Sequence, residues 1–411
     1  MQRHPETAAV RRRLTSPVVL LSALLVLALV AWLSFPYVRD WLAGSGCDAP
    51  APVEIAAAPD IAPVLAEVAR TLPERAGPGC VRVTVTSADS AGTAESLARG
   101  AGGPDVWVPE SSLWLPRARD LGAWDVPESG QPVASSPVVL ALADDAADRL
   151  GWPGQAPTWP QVLGAASVGL SDPGRDPVAV AALLGVKELT VGTADPSATL
   201  TAGLRKLTTH VVAGPEELFP RQDGKPSFSA FPASERAVIT HNAASGENKF
   251  VAVYPDVPVP SLDYPFVLLP KASEAARAGA EGLLRELLQP GAAQAFAAAG
   301  FRSPEGQVLG VRPRDGRTNT ASLPVRPPAQ DATDAILQVW AGVNLSARVQ
   351  VLLDVSGSMS AVGPGTTQSR MQLTVRAATQ GMGLFKPTTE LGLWLFSTEL
   401  DGDKDYRELL P

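Results

Sequence analysis

The chain has 411 residues, enough for two or three domains, and 45% of them are hydrophobic, so packed cores can form. Charged residues are 18%, and the formal net charge is −8 with a sequence pI of about 5.1, which argues against a broad nucleic-acid footprint. The two cysteines, Cys47 and Cys80, and three isolated histidines, His4, His210 and His241, exclude zinc fingers, iron–sulfur clusters and a disulfide-dense mini-fold. Pro 39 and Gly 36 make the chain loop-rich, but it is too apolar to be disordered. Arg outnumbers Lys 27 to 7, a bias of GC-rich bacterial genomes such as those of actinobacteria.

Leu14 to Val38 carries no charge and includes SPVVLLSALLVLALVAWLSFPYV, long enough for a bilayer-spanning helix. Arg11, Arg12 and Arg13 precede it, whereas Arg39 and Asp40 beyond it cancel, so the N-terminus is expected in the cytoplasm and the remainder outside. The expected division is a cytoplasmic tail at 1–16 and a transmembrane helix at 17–38. A cleaved signal peptide ending near Ala43-Gly44-Ser45 is the alternative, but its apolar core would be shorter than this one. The exterior then carries a net charge of −11, which favours cations over anionic lipid or nucleic acid. Cys47 and Cys80 fall on that side and are expected to pair, with two free thiols as the alternative.

From Val53 the pattern alternates. VEIAAA (53–58) reads as a strand, Ile61 to Leu72 as a helix, VRVTVTSA (81–88) as a strand, Thr93 to Arg99 as a helix and PDVWVPE (104–110) as a strand. That spacing implies a parallel sheet with helical crossovers. PVVLALA (137–143), VGLSDP (168–173), RAVITHN (236–242), FVAVYP (250–255) and PFVLLP (265–270) are further strand candidates. TWPQVLGAA (158–166), Val178 to Leu184, Ser273 to Leu288 and Ala292 to Ala299 read as helices.

In its order and local texture this stretch resembles the extracellular solute-binding proteins of the type II periplasmic-binding fold, over about Cys47 to Arg302. The segments that carry the resemblance are VEIAAAPDIAPVLAEVA, GGPDVWVPESSLWL, GLSDPGRDPVAVAAL, and FPASERAVITHN followed by DYPFVLL. The resemblance implies two α/β lobes with a ligand cleft between them, joined by crossing strands near Ser135 to Ala141 and Tyr264 to Leu269. Ligands in such sheets bind where strands end, and helix N-termini present free N–H groups that accept anions. Asp60, Ser87, Ser111, Ser171, Asp172, Arg175 and Tyr264 are therefore the candidate ligand contacts, although Asp60, Ser111 and Asp172 could equally serve as caps or turn residues. Trp107 and Trp114 could line a cleft or pack in a core. No G-x-S-x-G, H-E-x-x-H or Walker A pattern is present, and neither His210 nor His241 has a second ligand nearby, so binding rather than catalysis is expected.

Gly300 to Asp331 is rich in Pro, Gly and Arg and reads as a linker or surface-wrapped segment, with domain boundaries at 303–333. DATDAILQVWAGV (331–343) is a short helix candidate. The apolar strand VQVLL then runs into Asp354-Val355-Ser356-Gly357-Ser358-Met359. This D-x-S-G-S-M loop resembles the metal-ion-dependent adhesion site of von Willebrand factor A domains, which implies a Rossmann-like domain starting at 334 and running to 411. Asp354, Ser356 and Ser358 would supply hard oxygens to Mg²⁺, with an acidic residue of a protein partner as a further ligand. RMQLTVRAATQGMGL (370–384) and TELGLWLFST (389–398) fit as the next helix and strand. Such domains add ligands from two later loops, and the chain stops at Pro411, about 64 residues into the domain, so this segment is expected to be truncated and to hold metal weakly. The expected whole is a single-pass, outward-facing membrane protein with a solute-binding-like cleft and a metal-dependent contact domain. The alternatives are a transporter's substrate receptor and an envelope assembly factor that binds no ligand.

Overall fold

A computed structural model describes residues 21–22, 24–32, 34–35, 50–71, 81–100, 102–220, 227–246, 248–344, 348–382 and 389–410. Cys47 and Cys80, and so the expected disulfide, lie outside the described residues. The expected anchor lies partly outside them. Its described residues between 21 and 35 are helical and nearly all exposed, Leu24, Leu27 and Phe35 among them. Among the described residues no helix is long and apolar enough to cross a membrane.

Lobe one begins with β1 (Ala51–Ala57), α1 (Ala62–Arg70), β2 (Val81–Ser87), α2 (Ser90–Ala98), β3 (Val106–Val108), α3 (Trp114–Asp120) and β4 (Gln131–Pro132). β1 pairs in parallel with both β2 and β3, as the alternation predicts. β2 alternates between half-buried and exposed residues because it is an edge strand. β1 is central, and its residues from Ile55 to Ala57 are all buried.

Lobe two contains β5 (Val138–Ala143), α4 (Asp144–Arg149), α5 (Trp159–Ala165), β6 (Leu170–Ser171), α6 (Pro177–Leu189), α7 (Pro196–Thr208), β7 (Val211–Val212), β8 (Ala230–Ser234), α8 (Glu235–Ala244) and β9 (Phe250–Val253). β5 is its central strand, buried at every position and antiparallel to both β8 and β9. RAVITHN, expected as a strand, is instead helix α8. The Ser234 side chain caps it by accepting from the Ala237 N–H at 3.1 Å, and Glu235 in its first turn is drawn into a buried ion pair. Those two contacts outweigh the β-branched Val238, Ile239 and Thr240.

The chain returns to lobe one through β10 (Pro265–Leu268), α9 (Glu274–Leu287) and α10 (Pro290–Ala298). β10 enters the first sheet antiparallel to β3 and β4, giving the order β2-β1-β3-β10-β4. The lobes are joined where the resemblance places the crossings: Ser136 bridges Leu262 and Ser135 bridges Arg302, so a third crossing is added at Arg302. One hydrophobic core runs through the hinge from Val53 in β1 to Leu204 in α7.

Residues 303–329 do not hang free; they wrap the hinge and lobe two. The fully buried Arg302 donates to both Glu235 oxygens at 2.7 Å and to the carbonyls of Gly306, Asn319 and Ala321. The Tyr254 hydroxyl also donates to Glu235. Further along, Arg317 pairs with Asp144 at 2.8 Å and lies over the Trp152 ring. Helix α11 (Gln330–Asn344) follows and packs against α6 and α7, with Ile336 and Trp340 buried.

The last unit is β11 (Arg348–Asp354), α12 (Arg370–Met382), β12 (Glu390–Asp401) and β13 (Lys404–Leu410). β11 and β12 are parallel with α12 between them, and β13 is antiparallel to β12. Leu352, Phe396 and Tyr406 are exposed on this three-stranded sheet.

Removing one partner of a buried ion pair leaves the other charge uncompensated, at a cost of about 3–5 kcal/mol. Arg312 stays 3.6 Å from Glu235, so Arg302→Met should destabilise the full chain by about 3 kcal/mol, the low end of that range, in urea unfolding. A change below about 1 kcal/mol, the scale of an exposed pair, would show that the Glu235 network is not what holds the hinge.

Candidate solute-binding cleft

A cavity of about 370 Å³ lies between the lobes. It sits where strands end and helices begin, the place α/β sheets reserve for ligands. Lobe one contributes Asp60 after β1, Asp89 and Ser90 after β2, and Glu110 after β3. Lobe two contributes Arg175 and Asp176 before α6, Glu216, and Ser234 and Arg236 around the start of α8.

The sequence-predicted contacts divide. Asp60 and Arg175 line the cavity. Tyr264 stands directly behind it, fully buried, and donates its hydroxyl to Asp60. Its φ of 40° is in the left-handed region, which a bulky residue enters only when the surroundings compel it. Its N–H donates to the Glu110 carbonyl at 3.3 Å, and its carbonyl accepts from the Val133 N–H at 3.2 Å. This residue therefore fixes the crossing strand against both acidic walls of lobe one.

The other four candidates are not cavity-lining residues. Ser87 is exposed at the end of β2, and Ser111 is buried, its Oγ accepting from the Leu113 N–H at 3.3 Å. Ser171 is buried and donates to Asp176. Asp172 organises its turn, Oδ1 accepting from the Gly174 N–H at 2.9 Å. Trp107 and Trp114 are core residues, 1% and 3% exposed. His210 packs on Phe228, and His241 packs among Phe219 and Phe250 with Nε2 2.8 Å from the Asn248 carbonyl.

Sequence reasoning passed over Asp89, Ser90, Glu110, Asp176, Glu216, Ser234 and Arg236. Two of these had a local signal, since Asp176 precedes Pro177 and Ser234 precedes Glu235, both helix-start patterns. Glu110 had none; only the fold brings it beside Asp60.

Burial dominates the electrostatics. It raises the Asp60 carboxyl, with Arg236 and the Tyr264 hydroxyl pulling the other way. It raises Asp176 in the same manner. Burial pushes Glu110 up to about 7, despite hydrogen bonds from Ser90 and from the Trp114 indole at 2.8 Å. The lobes touch across the cleft mouth. Arg175 of lobe two reaches Asp89 of lobe one at 3.2 Å, and Arg117 of α3 donates to the carbonyls of Pro173 and Gly174 at 3.2 and 3.4 Å. A larger recess of about 620 Å³ lies between α3 and the start of α11, away from the strand ends that frame the cleft.

In the C-terminal unit Asp354 ends β11, and its Oδ1 accepts from the Ser356 N–H at 2.8 Å. The Ser356 and Ser358 hydroxyl oxygens are 3.0 Å apart. Hydrogen bonds from Ser356 hold the Asp354 carboxyl below its ordinary range. Among the described residues no group of three or more His, Cys, Asp or Glu is placed to hold a metal ion.

The model of the family described as bacterial extracellular solute-binding protein matches residues 53–302. The chain belongs to that family. The match ends at Arg302, the hinge residue that anchors the wrapped segment. The family places the two-lobed domain outside the cytoplasm, in the periplasm or the extracellular space. Solved structures agree on the fold. A periplasmic thiamin-binding protein is 12% identical, with a TM-score of 0.51 over 72% of this chain and 96% of that one. The periplasmic binding protein P5PA is 10% identical, with a TM-score of 0.50 over 71% and 99%. The sulfate-binding protein SubI from Mycobacterium tuberculosis H37Rv is 18% identical, with a TM-score of 0.45 over 62% and 87%. No curated protein matches the chain.

Glu110 yields a pH test. Its folded value, about 7, exceeds its ordinary 4.5, so between those values the folded chain holds more of its proton than the unfolded chain does. Its contribution to stability therefore falls as pH rises through that window. Glu110→Gln should gain about 3 kcal/mol on the wild type between pH 4.5 and 8, measured by urea unfolding at both values. A constant difference would show that Glu110 is not held in a desolvated site.

Proposed function

We infer that the chain is a membrane-anchored receptor of the bacterial exterior, in which a solute-binding domain is fused to a metal-dependent protein-contact domain. The observation that carries the binding role is the interlobe cavity, walled by charged side chains of both lobes and backed by the strained Tyr264. Binding rather than chemistry is the role that the family match supports. A small solute held there would touch both lobes at once and so favour the closed form over the open one.

The anchor reading rests on the uncharged run, its flanking arginines and the exposed apolar side chains of residues 21–35. The contact-domain reading rests on the Asp354, Ser356 and Ser358 oxygens, which converge at a strand end, and on the β11–α12–β12 order that the resemblance implies. These oxygens suit Mg²⁺, which would bridge to a carboxylate of an acidic protein partner. A second reading, a transporter's substrate receptor, is favoured by the family match itself.

Native mass spectrometry of the full chain purified from its host should show a retained small molecule, lost when Tyr264→Ala opens the back of the cleft. A chain that carries no ligand and whose hinge angle ignores solute would instead support the assembly-factor reading. For the metal, calorimetry with Mg²⁺ should show Asp354→Ala losing more affinity than Ser356→Ala, since it removes the only charged ligand of the loop. Mg²⁺ binding that is indifferent to Asp354 would place the ion elsewhere. Mass mapping of membrane-extracted protein should find the N-terminal segment intact; a mature end near Gly46 would replace the anchor with a cleaved signal.

A further inference from the structure

Two kinds of attraction meet in the cleft. Helix N-termini draw anions, and carboxylates draw cations. Four helices, α1, α2, α6 and α8, start at the cavity wall, so an oxyanion would be the first expectation. The protein has already used three of those N-termini. At α2 the Asp89 carboxylate accepts from the Gly92 N–H at 2.8 Å. At α6 the Asp176 carboxylate accepts from the Val178 N–H at 2.8 Å. At α8 the Ser234 hydroxyl accepts from the Ala237 N–H at 3.1 Å. At α1 no side chain caps the first turn, but the Asp60 carboxylate stands directly before it. At α2 and α6 an oxyanion would have to displace carboxylates that belong to the chain, and at α1 it would face Asp60.

Of the positive side chains, Arg175 is paired with Asp89. Arg236 lies over the Phe301 ring with its guanidinium carbon 5.2 Å from the centroid, its Nε is buried without a hydrogen-bond partner, and its charge acts on Asp60. The balance of the lining is nevertheless negative, three further carboxylates against Arg236. Beyond the two capping carboxylates, the cavity is bordered by Asp60, Glu110 and Glu216. Asp60 Oδ1 is buried and has no hydrogen-bond partner, a vacancy that a buried polar atom rarely keeps without a use. The volume of about 370 Å³ lies in the range of pockets for small organic ligands.

We propose that the interlobe cleft takes a small organic cation, a solute bearing a protonated amine or quaternary ammonium, with its positive centre against Asp60 and Glu110. This rests on the reading that the cleft holds a solute and adds its chemical class. The ammonium gives Asp60 Oδ1 its missing partner. Glu216, exposed at the rim, adds long-range attraction without contact.

The test is calorimetry on the full chain in detergent micelles, with 1,4-diaminobutane, choline, sulfate and molybdate as probes. At least one of the two cations should bind below millimolar Kd, and neither oxyanion should compete with it. Asp60→Asn should weaken that binding about tenfold or more. Glu216→Gln, a rim substitution that leaves the melting temperature unchanged, should weaken it about twofold at low salt and not at high salt. Binding of sulfate or molybdate in place of the cations, lost in Arg236→Ala, would overturn the cation inference and leave the solute cleft standing. Binding of neither class would overturn the inference. If the purified chain also retained no solute, the cleft reading would fall with it.

Discussion

The hinge depends on one buried carboxylate, Glu235, which faces Arg302 at 2.7 Å and Arg312 at 3.6 Å. Glu235 and Arg302 are both fully buried, and taking two charges out of water is tolerable only when every hydrogen-bonding position is met. Arg302 meets this with five donors directed to Glu235 and to three carbonyls of the segment beyond the hinge. Glu235 lies in the first turn of α8, so the pair ties a helix of lobe two to a crossing strand and to residues 306–321. The pair works beside the core that runs through the hinge and beside Arg317, which pins the segment to Asp144 and Trp152.

The cleft inherits its geometry from that knot. Because the crossing strands are fixed, Tyr264 can be held at an unfavourable φ with its hydroxyl on Asp60. Because lobe two is held in register, Arg175 and Asp176 face the acidic strand ends of lobe one. Burial then raises Asp60, Glu110 and Asp176 together. The cavity is thus a place where negative charge is expensive when it is empty and welcome when an opposite charge arrives.

What could be read from the sequence was what the sequence encodes locally. The β2 alternation in VRVTVTS is a contiguous signal, legible at its true position. Asp60 and Arg175 were found because strand ends and turns can be located from pattern alone. Glu110 could not be found, since its partner Asp60 is fifty positions away and neither residue signals the other. The α8 segment was misread because Val238, Ile239 and Thr240 are strand formers, while the deciding contact was with Arg302, 67 positions later. The helix α7 went unread too; its start rests on Asp195, which caps the Ala198 N–H at 3.0 Å, and only Leu204 and Leu207 are buried along it.

Helix α11 changes how the two ends of the chain are related. The chain enters the two-lobed domain through β1 of lobe one, while α11 is seated on α6 and α7 of lobe two. Input and output therefore belong to opposite jaws. Any rotation at the hinge carries α11, about 22 Å long at 1.5 Å per residue, with lobe two and away from the point where the chain comes in.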